Sequence, residues 1–246
     1  MKNFLSFCIF FIFLIPSCRL QKISKKEGFI QLSYRNYDSI EHKYISESIM
    51  PGKNIWYKDN LVIEEIKTIK VHTDTSGITT KETPIAYYLF IDRKSKTFYN
   101  YSSFNDTASI LDKYTQADTV EIRGLGGWSF YKDHDLNVVD SLRPLSDTAI
   151  NNIIYKRFQF TLKVSKNLLP TIIYLRCDTK GTVFLFDKNL SEKLGCPIVR
   201  MEYLPTPENP SPVSSEIVFL RDTLSKEELK VFDAWEKNLK KYPVNK

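Results

Sequence analysis

Asp133-His134-Asp135 is the most chemical-looking stretch of this 246-residue chain. On a strand, Asp133 and Asp135 would share one face and could hold a cation between them, while His134 would point the other way. The chain has three histidines, and His42 and His72 lie in unrelated contexts. The triplet therefore reads as a polar turn. Gly124-Leu125-Gly126-Gly127 lacks the Lys-Ser/Thr that follows a phosphate loop and the spacing of a dinucleotide fingerprint. Before Trp128, those glycines fit a loop or bulge. No serine sits in a nucleophile elbow or an S-x-x-K context. Glu64 and Glu65 are adjacent, and strand neighbours point to opposite faces, so they cannot act on one substrate side by side. No catalytic, metal or cofactor-binding residue is assigned, and no cofactor is expected.

Cys177 and Cys196 flank one predicted strand. They could meet in a disulfide, or one could lie buried and free; no CxxC or zinc spacing surrounds them. The aromatic set Tyr87, Tyr88, Phe90, Phe98, Tyr99 and Tyr101 could line an apolar cavity, and core packing of a sheet explains it equally well.

The elements that carry these residues are mostly strands. Tyr (14) and Phe (16) are abundant, while Gly (8) and Met (3) are scarce, a balance that favours strands. Alternation predicts strands over 28–37 and 44–50 and a hairpin turning at Asp59-Asn60, whose second strand continues from Leu61 towards Val71. A second hairpin over 85–104 turns at Asp92–Lys96. Residues 105–116 read as a short helix, with Asn105 or Asp106 as cap and Ile110, Leu111 and Tyr114 on one face. Further strands are expected over 119–124, 151–164, 197–204 and 215–222, with a hairpin over 171–187 turning at Thr179–Gly181. The chain closes in a helix from Ser225. Ser225 and Glu228 form a capping box there, and Leu229, Phe232, Trp235 and Leu239 give one apolar face. The expected fold class is α+β: a strongly curved, mostly antiparallel sheet, a short central helix and a C-terminal amphipathic helix, with residues 28–246 as one domain.

Residues 1–17 have the plan of a signal peptide: Lys2, an apolar run from Phe4 to Ile15, then small residues. A spanning helix needs about 20 apolar residues, and Pro16 ends this run sooner. Ile15-Pro16-Ser17-Cys18 resembles the bacterial lipobox, with Pro16 departing from the small or β-branched residues commoner at its place. The resemblance implies a diacylglycerol on the Cys18 thiol, with residues 18–27 as lipidated cysteine and tether. Aspartate after that cysteine favours the inner membrane in such lipoproteins. Arg19 stands there instead, so the expected location is the cell envelope, at the outer membrane more than the inner.

Lys and Arg (35) and Asp and Glu (29) alternate along most of the chain, for a net charge of +6. The basic clusters are short: Lys22-Ile23-Ser24-Lys25-Lys26 beside the anchor and Lys237-Asn238-Leu239-Lys240-Lys241 near the end. Both suit proximity to anionic lipid. No basic stripe with interleaved aromatics is present, and no nucleic-acid partner is expected.

The lipobox, the aromatic hairpin YYLFIDRKSKTFYNY and the run of antiparallel strands before a terminal helix resemble small exported bacterial lipoproteins. The layout over most of residues 28–221 is similar to the open barrel of lipoprotein carriers and to the GLPGLI-type family. That family's hexapeptide is absent, Arg123–Trp128 being only an echo, so no site residues carry over. The expectation is a non-enzymatic binding or structural module, anchored to the membrane through Cys18, with an apolar or lipid-like ligand or an envelope protein as partner. The alternative is an envelope hydrolase with its site near Asp133, His134 and Asp135.

Overall fold

The structure is a computed structural model that describes residues 27–45, 52–115, 138–164, 167–178 and 186–241. Its first half is a meander: β1 (Glu27–Asp38), β2 (Lys43–Ile45), β3 (Lys53–Lys58), β4 (Leu61–Lys67), β7 (Ile85–Asp92), β8 (Thr97–Tyr101) and β9 (Ile110–Thr115). The short pair β5 (Lys70–Thr73) and β6 (Thr79–Glu82) forms a separate, exposed ribbon. The second half adds β10 (Arg143–Ile150), β11 (Ile153–Val164), β12 (Asn167–Leu175), α1 (Lys188–Leu194), β13 (Ile198–Tyr203), β14 (Val213–Arg221) and α2 (Lys226–Lys241).

Twelve of these strands form one antiparallel sheet in the order β10-β11-β12-β13-β14-β1-β3-β4-β7-β8-β9, with β2 paired to β1. Each half is a run of local hairpins, and the halves join where β14 pairs with β1, Leu32 opposite Ile217 and Tyr34 opposite Ser215. The turns explain the hairpins. Asp59, Lys96, Asn151 and Asn152 all take positive φ, which polar turn residues tolerate best. Pro144 sits in the edge strand β10, where a missing N–H is harmless.

Strand alternation divides the side chains between two faces. Ile30, Leu32, Ile55, Tyr57, Val62, Leu89, Ile91 and Phe98 belong to one large buried cluster, with Phe160, Leu162, Ile173, Leu175, Ile198, Met201 and Ile217 from the other half. Among the described residues α1 is the helix on this face, through Leu190. It starts at Asp187, whose carboxylate accepts from Leu190 N–H at 2.7 Å, and stops at Gly195 with φ 71°.

The opposite face carries α2. Phe232 and Trp235 are fully buried against Trp56, Ile63, Phe90, Tyr99 and Tyr101. The Trp235 ring stacks on Tyr101 with centroids 3.8 Å apart, and its Nε1–H donates to the Asn105 carbonyl at 3.0 Å. The helix begins with a capping box: Ser225 N–H donates to Glu228 at 2.7 Å and Glu228 N–H donates to Ser225 Oγ at 3.2 Å. The Glu228 carboxylate also accepts from Trp56 Nε1 at 2.8 Å and from Arg221 at 2.5 Å, tying the helix start to β3 and β14.

Several expectations are corrected. Residues 105–115 do not form the expected central helix, and Gln116 lies outside the described residues. Asn105 Oδ1 accepts from Thr107 N–H at 3.0 Å in a local turn, and Ile110–Thr115 pairs with β8 as β9. A spacing of four, as between Ile110 and Tyr114, satisfies both helix and strand periods, and the edge of β8 decides between them. The strand from Leu61 to Val71 breaks after Lys67, where Thr68 N–H turns to the Pro84 carbonyl. β12 covers the first strand of the hairpin expected over 171–187 and has β11 and β13 on its two edges; the expected turn at Thr179–Gly181 and the residues up to 185 lie outside the described residues. Strand β10 was not expected. The stretch 119–124 lies outside the described residues, as does most of 44–50.

Candidate functional site

The most unusual chemistry among the described residues is a charged pair on the apolar face. The two-residue turn at Asp59-Asn60 sets the β3–β4 register, placing Ile55 opposite Glu64. Lys53, Ile55 and Tyr57 therefore point the same way as Val62, Glu64 and Ile66. Glu64 is 0 % exposed and Lys53 4 %. The Lys53 ammonium stands 3.5 Å from the Glu64 carboxylate. Both charges thus sit in the same layer as Leu32, Ile55 and Leu89.

Other polar groups share this end of the face. Tyr87 on β7 points the same way as Leu89, and burial, then the nearby Glu64 carboxylate, push its hydroxyl above the ordinary tyrosine range. Tyr114 on β9 stacks on Phe98 at 5.5 Å and donates to Asn100 Oδ1 at 3.1 Å. Burial, with Tyr87 second, raises its hydroxyl strongly against the lowering effect of the Asn100 bond. An ammonium, a carboxylate, two neutral phenols and an amide therefore gather at one end of a long apolar surface. Such a set can meet a polar or charged group while the adjoining face meets hydrocarbon. It offers no activated nucleophile.

The neighbouring glutamate behaves as strand geometry requires. Glu65 points to the α2 face, where it accepts from Asn54 Nδ2 at 3.1 Å and pairs with Lys67 at 2.7 Å. Farther along that face lies a second ionic group. Arg200 is buried and pairs with Glu202, Tyr174 donates to Glu202 at 2.5 Å, and Arg35 reaches Glu216 at 3.0 Å. The Arg200 guanidinium also lies over the Tyr174 ring at 4.9 Å. Burial raises the Tyr174 hydroxyl to about 12, helped by its bond to Glu202. Opposite charges balance within this group.

The aromatic set that could have lined one cavity is split by alternation. Tyr87 and Phe98 lie on the face of the Lys53–Glu64 pair. Tyr88, Phe90, Tyr99 and Tyr101 pack on the other side, with α2. Four of the six therefore serve helix docking. Cys177 and Cys196 are joined in a disulfide, their Cα atoms 4.7 Å apart; it clips the segment after β12 to the segment between α1 and β13. Cys18, Asp133, His134, Asp135 and the glycines at 124–127 lie outside the described residues. Among the described residues, no group of three or more His, Cys, Asp or Glu side chains could hold a metal ion, and no helix is long and apolar enough to cross a membrane.

Sequence reasoning weighed Glu64 only against Glu65 and missed Lys53. The signal was available: once the turn is placed at Asp59-Asn60, Lys53 and Glu64 fall on the same face in adjacent strands. No protein-family model matches this chain, and no curated protein matches it.

Proposed function

We propose that this chain is a lipid-anchored, non-enzymatic binding module of the bacterial cell envelope, held at the membrane through Cys18. Its apolar sheet face takes an apolar or lipid-like ligand, whose polar group meets Lys53, Glu64, Tyr87, Tyr114 and Asn100. The observation that carries this reading is the ionic pair inside the apolar layer. A buried pair gives little or no stability over apolar residues of the same volume, because two charges must leave water. The pair is therefore read as serving recognition and not stability. The continuity of the apolar cluster from Phe98 on β8 to Leu162 on β11 supports a sheet bending around that face in the manner of an open barrel.

The test uses two fluorescent probes of one chain length, a fatty acid and a neutral alkane, offered to the full-length protein. Wild type should bind the fatty acid more tightly. The double variant Lys53→Met/Glu64→Gln should lose that preference while keeping its circular dichroism. If wild type binds neither probe, or the double variant keeps the same preference, the reading fails.

A further inference from the structure

The two basic clusters of the sequence lie more than 200 residues apart, yet the strand that follows the first and the helix that carries the second meet at the same edge of the sheet. Strand β1 enters at Glu27, which pairs with Lys58 at the end of β3. The turns Asp59-Asn60 and Arg93–Lys96 lie along this same edge, because Leu61 pairs with Asp92 and Asp92 with Thr97. α2 crosses the sheet so that its last turns arrive there too. Lys58, Asp59, Asp92, Lys94, Glu236 and Lys240 line one open groove of about 540 Å³.

The charges along this edge divide unequally. Asp92 is spent within its own turn, accepting from Lys94 N–H at 2.9 Å and Ser95 Oγ at 2.5 Å. Asp233 is held by Lys58 at 2.7 Å. Asp59, Glu236 and Glu27, with Asp222 nearby, make up the acidic side. Lys94, Lys96, Lys237, Lys240 and Lys241 are all exposed. Lys22, Lys25 and Lys26 precede Glu27 directly in the sequence.

We infer that this edge is a docking surface for an anionic bilayer, so that the domain lies against the membrane with the β3–β4 turn, the β7–β8 turn and the end of α2 facing the headgroups. Chain length allows this orientation. The nine residues from Cys18 to Glu27 span at most about 30 Å when extended, so an anchored domain cannot move this edge far from the lipid surface. Each lysine held near an anionic surface strengthens binding roughly fivefold, an effect that fades within a Debye length. The inference rests on the anchor of the proposed function and is independent of the ligand assigned to the apolar face.

The experiment places the full-length lipidated protein on vesicles of phosphatidylcholine, alone or mixed with phosphatidylglycerol, and reads lysine acylation by mass spectrometry. Acylation of Lys94, Lys96 and Lys240 should fall roughly fivefold on the anionic vesicles. Lys70, exposed on the β5–β6 ribbon, should react equally on both, and high salt should restore the edge lysines. The variant Lys94→Glu/Lys96→Glu/Lys240→Glu should still float with neutral vesicles, and the remaining edge lysines, Lys237 and Lys241, should lose their protection on anionic ones. Equal acylation of the edge lysines on both vesicle types, or equal protection of Lys70, would overturn the inference. The anchor is judged separately: Cys18→Ser should abolish flotation with neutral vesicles, whatever the acylation pattern. Fatty-acid binding by the triple variant should match wild type.

Discussion

Trp235→Ala removes the largest side chain that α2 places against the sheet. The indole is fully buried, lies flat on Tyr101 at 3.8 Å, meets Phe90 edge-on at 5.7 Å and satisfies the Asn105 carbonyl at 3.0 Å. Truncating such a residue costs about 3–5 kcal/mol, from lost transfer energy and the cavity left behind. The upper half of that range is expected here, because the Asn105 carbonyl also loses its donor. Trp235→Phe keeps an aromatic ring over Tyr101 and loses the N–H, so its cost should be nearer 1–2 kcal/mol. With a urea dependence of about 2–3 kcal/mol per molar, the alanine variant should unfold at a midpoint roughly 1.3–2.5 M lower. Far-UV circular dichroism would follow the unfolding. A fall in the slope along with the midpoint would show α2 leaving the sheet before the rest unfolds. A midpoint moved by less than about 0.3 M in the alanine variant, which that slope converts to under 1 kcal/mol, would refute the claim that α2 is docked through this face.

Two further outcomes follow from the packing. Burial pushes the Glu228 carboxyl up, but its bonds from Arg221, Ser225 N–H and Trp56 outweigh that and hold it below its ordinary value of 4.5. A depressed folded pKa contributes stability that is present above the unfolded value and lost as pH falls through the folded one. Urea unfolding should therefore find Glu228→Gln weaker than wild type at neutral pH, with the gap closing in acid below about pH 4; a gap independent of pH would count against the assignment. Gly28→Ala should destabilise by roughly 1–3 kcal/mol, since an added Cβ would stand 2.6 Å from the Tyr57 hydroxyl and 2.8 Å from the Arg221 carbonyl. Thermal melting checks this, and an unchanged midpoint would mean that the start of β1 can move away from β14 freely.

Two hairpins were legible in the sequence because a polar turn separates two alternating, aromatic or β-branched runs, at Asp59-Asn60 and at Asp92–Lys96. The terminal helix was legible too, because its capping box and its apolar stripe agree. Strand β10 escaped notice for physical reasons. It is a mostly exposed edge strand, needs only one apolar neighbour, and contains Pro144, which normally argues against a strand. The adjacent Asn151-Asn152 pair carried a turn signal, since both residues take positive φ, but it was read as the start of the next strand. Residues 105–115 were misjudged because a cap-like Asn105 and a spacing of four do not separate helix from strand without knowing which sheet edge is waiting. The Lys53–Glu64 pair was hidden because two charged residues in strands that each look amphipathic are ordinarily solvated. Only the pairing of twelve strands into one sheet reveals that their shared face is dry.

The seam between β14 and β1 sets an order of events during synthesis. Arg35 and Glu216 meet there at 3.0 Å across 181 residues of chain, whereas every other ladder of the large sheet joins strands close in sequence. Strand β1 is made early and can pair at once with β3, but its other edge must wait for the penultimate element of the chain. Until then a twelve-residue strand presents a row of unpaired N–H and C=O groups, the template on which nascent chains stick to one another. Arg35 is the one basic residue of β1 along that edge; Ile30, Leu32 and Tyr34 leave the rest of it apolar on one face. The second half of the sheet, β10 to β14, carries the matching open edge. A nascent copy whose two halves form before they meet can close the seam with a neighbour's half as readily as with its own, so swapped dimers are the misassembly this strand order makes cheapest.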